Sequence, residues 1–218
     1  MFRQTMSFMM SNRLFKSAAA AAALMAAAGP AAAHHAMGGA TPENFSQGLL
    51  SGLAHPIIGP DHFAFLVIAA LLTFTLKPGP RLTVPLAFVA ATIAGTLLHL
   101  GSANIPLSEA LVALSVIVGA VLVLSRRSMH ALGLSALFAA SGILHGYAYG
   151  ESIVGAEATP ILAYLVGFGI IQYALIVAGA FALEKVSASS AKAQLLAQRG
   201  GGLATLIIGG VFFALGVA

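Results

Sequence analysis

Six long apolar stretches, separated by short polar segments, make up most of this chain. Their lengths are close to the roughly 20 residues that a helix needs to cross a bilayer. The predicted spans are residues 45–76, 82–101, 107–124, 131–149, 160–183 and 203–217. No internal repeat is evident, so the pattern does not support an inverted-repeat architecture. It predicts an all-α, polytopic membrane bundle of six transmembrane helices.

The first span is interrupted at residues 55–62, of sequence HPIIGPDH. Its two prolines each remove an amide donor and clash with the preceding turn, and its glycine permits unusual dihedral angles. The segment therefore predicts a broken helix, whose first half ends near His55 with free carbonyls and whose second half starts at Pro60. Carbonyls and a carboxylate beside such a break can hold a cation near mid-membrane. The alternative is a proline kink whose histidines only hydrogen-bond to neighbouring helices.

Residues 1–33 have the features of a secretory signal peptide. Arg3, Arg13 and Lys16 precede a short apolar, alanine-rich run, and small residues end the segment. This pattern predicts cleavage after Ala33, which leaves residues 34–218 as the mature permease-like domain. An uncleaved signal anchor is the alternative.

Composition narrows the class of protein further. The chain is 59% hydrophobic and only 7% charged, with a mean hydropathy of +0.97, whereas a soluble domain has about 25% charged residues. Ten Lys and Arg against six acids are too few and too dispersed for a nucleic-acid surface. The absence of cysteine excludes disulfides, thiolate metal sites and iron–sulfur clusters. Any metal must use His, Asp, Glu, Met or backbone oxygen.

The loop charges predict an orientation. If the signal is cleaved, the mature N-terminus lies outside the cytoplasm and the loops alternate from there. The outer loops, residues 101–106 and 150–159, then contain no Lys or Arg. The basic residues of the cytoplasmic loops are Lys77, Arg81, Arg126, Arg127, Lys185, Lys192 and Arg199. This satisfies the positive-inside rule and predicts a multi-pass protein of the bacterial inner membrane with both mature termini in the periplasm.

The same topology brings the ionisable groups of the spans toward the outer side. These groups are His55, Asp61, His62, His99, Glu109, His145 and Glu151. An ionisable group inside a membrane is costly and therefore suggests a function. Imidazoles with carboxylates suit Ni²⁺, Co²⁺ or Zn²⁺ better than Mg²⁺ or Ca²⁺.

Some of these candidates have a simpler interpretation. A lone histidine at a span end, such as His99, is commonly interfacial or hydrogen-bonded. Glu109 lies in the first turn of a span, where the helix dipole stabilises an acid whatever its role. His34 and His35 would follow the cleavage site, where a free amine and two imidazoles could capture a metal, or they could be there by chance.

These residues give the chain a resemblance to the HupE/UreJ family of bacterial nickel and cobalt permeases, over nearly its whole length. The marks are the Ala-His start of the mature region, the HPIIGPDH motif, the entry into the third span at 106–109 with Ser115 after it, and the segment HGYAYGE at 145–151. The resemblance implies that His55, Asp61, His62, His145 and Glu151 take part in metal passage. Tyr149 stands where the second motif of the family usually has a further histidine, which bears on metal preference.

The leading hypothesis is a permease that admits Ni²⁺ or Co²⁺ from the periplasm to the cytoplasm, with no cofactor other than the transported ion. No phosphate-binding Gly-rich loop is present, so an ATP-driven pump is not implied. One alternative is an intramembrane metal-dependent hydrolase, although the sequence lacks His-Glu-x-x-His and an evident base–nucleophile pair. Another is a non-transporting metal sensor or accessory protein. The expected partners are the metal ion and the bilayer, with no nucleic acid. A link to the maturation of nickel or cobalt enzymes is also expected from the resemblance, and the sequence leaves the oligomeric state open.

Overall fold

The computed structural model describes residues 40–218, and all regular secondary structure in that range is helical. The helices are α1 (Phe45–Ile58), α2 (Pro60–Thr73), α3 (Pro78–Leu100), α4 (Ser108–Ser125), α5 (Ala131–Glu151), α6 (Ala158–Ser189) and α7 (Ala191–Gly216). Five of them are long and apolar enough to cross a membrane, and the bent pair α1–α2 makes a sixth span if its halves cross together. The predicted all-α membrane bundle is confirmed. The predicted signal peptide, 1–33, and His34 and His35 lie outside the described residues.

The first span is broken and its second half starts at Pro60, both as predicted, but its first half ends at Ile58 and not near His55. Helices α1 and α2 meet at 76°, and α1 continues through Pro56 to Ile58. The Gly59 amide donates to the His55 carbonyl at 3.1 Å, so the prediction of a free carbonyl at His55 was wrong. Pro60 is the first residue of α2, a position where its missing amide proton costs nothing.

Other helix ends extend beyond the predicted spans because hydropathy marks the apolar part of a helix and not its termini. Helix α3 starts at Pro78, so the segment from Lys77 to Arg81 is the entry to a helix instead of a turn. The hydrophilic connector at 184–199 is also mostly helical. It is interrupted at Ser190, whose hydroxyl accepts the Ala193 amide and starts α7.

Helix α2 is the centre of the bundle. Eleven of its 14 residues are buried, and it packs against α4, α6 and α7 with smaller contacts to α3 and α5. A helix that is apolar all round is expected to be enclosed by other helices. The residues that follow the break are therefore held by the whole bundle.

Around α2, the remaining helices form three close pairs, α1–α6, α3–α5 and α4–α7. In α3–α5, a Cβ atom on Gly95 would overlap the Ile143 carbonyl, and one on Gly146 would overlap the Thr92 carbonyl. Small residues allow such backbone approach between membrane helices. The Thr96 hydroxyl, which donates to the Gly146 carbonyl at 2.8 Å, adds a polar link.

The two ends of the bundle differ in chemistry. Asp61, Glu109 and Glu151 line one pocket at the end where α4 begins and α5 finishes, and we call this the carboxylate end. Helix α1 begins beside the start of α6, and α7 finishes beside the start of α4. Both ends of the described chain therefore lie here. The opposite end is called the arginine end, because Arg81, Arg126 and Arg127 line a cavity there.

Candidate metal-ligand site

Three helices contribute to a buried chain of hydrogen bonds near the break. His62 of α2 and His145 of α5 meet through their Nδ1 atoms at 2.9 Å, and His145 Nε2 lies 3.0 Å from the Ser115 hydroxyl of α4. The Ser115 hydroxyl donates its proton to the Val112 carbonyl at 2.6 Å. It must then accept from His145 Nε2, so His145 Nδ1 accepts from His62 Nδ1. We assign the protons accordingly, which leaves the lone pair of His62 on Nε2.

His55, at the end of α1, is held by two hydroxyl groups. Ser152 Oγ and the Tyr164 hydroxyl each lie 3.0 Å from His55 Nδ1. The Tyr164 proton goes to the Tyr149 carbonyl at 3.0 Å, so this hydroxyl accepts from His55 Nδ1. The resulting tautomer has its lone pair on Nε2, the form in which a neutral imidazole binds a metal.

The two histidines on either side of the break are close enough to share an ion. The ring centroids of His55 and His62 are 5.6 Å apart. Two imidazoles that bind one ion through nitrogens at about 2.0–2.1 Å have centroids roughly 4.5–6.5 Å apart. Tyr149 is fully buried against both, with centroid distances of 4.9 Å to His55 and 4.5 Å to His62. Position 149 therefore faces the histidine pair.

A small pocket beside this pair gathers the carboxylates. Its volume is about 20 Å³, which is room for about one water molecule. It is lined by Asp61, His62, Ser108, Glu109, Val112, Ala148 and Glu151. Asp61 is buried, and one of its oxygens accepts the His62 amide at 2.9 Å. Glu109 and Glu151 are exposed, so the pocket connects buried His62 to acidic groups at the surface.

The described residues do not include a complete coordination shell. Over 40–218, no three His, Asp or Glu side chains are arranged to hold one ion. The site instead supplies paired imidazoles with nearby carboxylates, a donor set that suits Ni²⁺ or Co²⁺. An ion here would complete its shell with water or after a movement of the carboxylates.

The structure brings most of the predicted site residues together but separates His99 from them. His55, Asp61, His62, Glu109, His145 and Glu151 all belong to the histidine pair, its partners or the adjoining pocket. His99 packs against Tyr147, with centroids 4.6 Å apart, and does not line the pocket. Tyr147 donates to the Ala103 carbonyl at 2.8 Å and accepts the Ile105 amide at 3.2 Å. His99 therefore lies beside a contact that holds the α3–α4 loop.

The residues that hold the histidines were not predicted in that role. Ser115 was noted only as part of a family motif, and Ser152 and Tyr164 were not singled out. Ser115 is the one hydroxyl in the interior of the otherwise apolar α4, which is a readable signal. The partners of His55 are about 100 residues away in sequence, and only the packing of α1 on α6 brings Tyr164 close.

Comparison with known proteins gives one match. A family model described as HupE / UreJ protein matches residues 22–212, which is most of the chain. No curated protein and no solved structure matches significantly. The match includes both histidine motifs of the site.

Proposed function

We propose that this chain, which belongs to the HupE / UreJ family, is a permease that admits Ni²⁺ or Co²⁺ across the membrane. The family is one of membrane proteins associated with nickel or cobalt uptake or with urease and hydrogenase maturation. It is a transporter and accessory family, with no enzyme activity known for it. The proposal goes further in naming transport as the role of this chain.

One observation carries the proposal: two buried histidines, each hydrogen-bonded through Nδ1, flank a helix break at the buried end of an acidic pocket. Fixing the orientation of a ligating imidazole through its other nitrogen is typical of metal sites. His55 and His62 are the proposed ligands, since they lie on either side of the break with ring centroids 5.6 Å apart. Asp61, Glu109 and Glu151 would attract the cation and replace part of its hydration shell.

His145 has a different proposed role from the other histidines. Both of its ring nitrogens are already used, one by Ser115 and the other by His62. We therefore assign it as a positioning residue that holds His62. His34 and His35 remain proposed capture residues. His99 is the candidate ligand that the geometry supports least, because it does not line the pocket.

The path beyond the histidines is closed toward the arginine end. His145 packs against Phe65 and Phe88 at centroid distances of 4.6 and 5.7 Å, and these two rings stack at 4.9 Å. Phe138 completes this aromatic layer, 6.2 Å from Phe65. Transport would require the layer to open while the carboxylate end closes, as in alternating access. We propose that the carboxylate end faces the periplasm, because the loops there lack Lys and Arg.

Uptake by purified protein in proteoliposomes tests the proposal. Radiolabelled nickel and cobalt should accumulate faster than in protein-free vesicles, and an uncoupler shows whether a proton gradient drives the flux. An accessory protein or sensor is the second candidate. The incomplete coordination shell and the closed aromatic layer favour it. Metal binding without uptake would establish that role and rule out the permease.

The proposed orientation of the protein in the membrane can be tested separately. A reporter domain fused after Ala218 should be active in the periplasm. Cytoplasmic activity would mean that the carboxylate end faces the cytoplasm, and the proposed direction of entry would then be wrong.

A further inference from the structure

A cavity at the arginine end has the chemistry of an anion-binding site. Its volume is about 390 Å³, within the range of small-molecule sites. It lies where the α2–α3 turn, the last turn of α4 and the first turns of α7 meet. Its polar lining residues are Thr75, Arg81, Arg126, Arg127, Ser128, Gln194 and Gln198. None of the described residues that line it is acidic, so the lining carries a net positive charge.

The three arginines of the cavity differ in what they already contact. Arg81 is buried and already has two partners. Its Nε donates to the Leu76 carbonyl at 2.7 Å, and its guanidinium lies 2.8 Å from the Glu184 carboxylate. Arg126 and Arg127 are exposed and have no carboxylate beside them in the lining. Two positive charges at the mouth of a cavity attract a phosphate strongly.

Arg126 also occupies an unusual backbone conformation. It caps the C-terminus of α4 with φ 54° and ψ 26°, a left-handed position where Gly or Asn is normally preferred. An arginine at this position is strained relative to those residues, and such strain is more common at functional sites.

An apolar groove of about 320 Å³ adjoins the cavity. It runs between α2 and α6, from Phe63 at one end to Leu71 and Val186 at the other. Leu71 lines both the groove and the cavity. The groove on the α2–α6 side of the bundle and the basic cavity therefore meet at Leu71.

We propose that the cavity and groove bind an anionic phospholipid, with its phosphate group on Arg126 and Arg127 and an acyl chain between α2 and α6. The joined apolar and basic surfaces favour a lipid over free phosphate, which would use the cavity alone. Basic pockets between membrane helices are known to hold anionic headgroups. The arginines would repel a divalent cation, so the cavity is a poor metal exit, and the lipid site does not depend on the proposed transport.

Native mass spectrometry of the full-length protein in detergent tests this site. Wild type should bind phosphatidylglycerol in preference to uncharged phosphatidylcholine. Arg126→Asn combined with Arg127→Gln should weaken phosphatidylglycerol binding by roughly 20- to 30-fold, because each arginine charge that is removed costs about fivefold in affinity. Asparagine suits the left-handed cap, so this variant keeps its fold. Lys192→Gln removes a charge from the first turn of α7, outside the cavity lining, and should bind lipid as wild type does.

A second variant tests the groove. Ala182 is exposed and lines the groove, so Ala182→Trp should block the acyl chain and weaken phosphatidylglycerol binding. The proposal would be overturned if the arginine variant kept its lipid preference, or if Lys192→Gln lost as much. Inorganic phosphate that bound as tightly as the lipid would establish a plain anion site instead. A dimer dispersed by Ala182→Trp would mean that the groove takes a second copy of the chain.

Discussion

The histidines at one end of this bundle and the loop arginines at the other are held in opposite ways. At the carboxylate end, His55, His62 and His145 are almost fully buried, and each has hydrogen-bond partners from other helices. At the arginine end, Arg126 and Arg127 lie exposed around an open cavity. Loop charges are sufficiently explained by membrane orientation. Membrane orientation does not explain three buried imidazoles, because burying a polar ring has a desolvation cost that topology does not require.

The largest expected effect comes from removing an imidazole at the break. His62→Ala should reduce nickel or cobalt uptake to the level of protein-free vesicles, since the proposed ligand is lost. Initial uptake rates, normalised to the amount of protein reconstituted, measure this. His130→Ala is the matched control at the arginine end, where His130 only caps α5 by accepting the Gly133 amide at 2.9 Å. Uptake by His62→Ala at the rate of the control would place the metal path elsewhere.

A smaller effect is expected from changing the residues that hold His62 through hydrogen bonds, His145 and Ser115. His145→Gln should raise the KM for uptake by about 10- to 100-fold, the usual cost of losing the partner of a metal-binding histidine. Ser115→Ala should raise KM less, because His145 then loses only the hydroxyl that selects its tautomer. Ser115→Thr retains that hydroxyl and should restore uptake. If His145→Gln abolished uptake outright, as His62→Ala is expected to do, His145 would be a direct ligand.

At the arginine end, a mutation should change stability without changing metal affinity. Arg81→Gln removes the bond to the Leu76 carbonyl, the ion pair with Glu184 and the contact with the Phe74 ring, whose centroid is 5.4 Å from the guanidinium carbon. We expect the free energy of unfolding to fall by about 1–3 kcal/mol, because a buried, charged hydrogen-bonding group is lost. Thermal unfolding in detergent and the KM for uptake are the two measurements. A large rise in KM would show that the two ends are coupled.

The difference between the ends also explains how much the sequence could predict. Hydropathy and loop charges identify the spans and the two ends because the bilayer imposes both patterns locally. The break and the start of α2 at Pro60 could be predicted from Pro56, Gly59 and Pro60, although the end of α1 could not. Helix α1 tolerates Pro56 and continues to Ile58 because its capping bond forms at Gly59.

The role of each candidate residue could not be read from sequence in the same way. His99 and His145 are both histidines toward the carboxylate end of a helix, yet one contacts Tyr147 and the other lies between Ser115 and His62. The distinction depends on which helix face meets which neighbour. That is decided by the close packing of α3 on α5 at their glycines, a property of the assembled bundle.

The smallest expected effect is a gain in metal affinity at the histidine pair. Tyr149 contacts the rings of both His55 and His62, but a phenol keeps its proton at neutral pH and is a poor ligand for Ni²⁺ or Co²⁺. Tyr149→His places a third imidazole beside the pair, so we expect about tenfold tighter metal binding, or ~1.4 kcal/mol. Tyr149→Phe keeps the ring without the hydroxyl and should bind metal as wild type does. Isothermal titration with Ni²⁺ and Co²⁺ compares the three proteins. Equal affinity in all three would mean that the ion does not bind between His55 and His62, and the ligands would then have to be sought among the carboxylates.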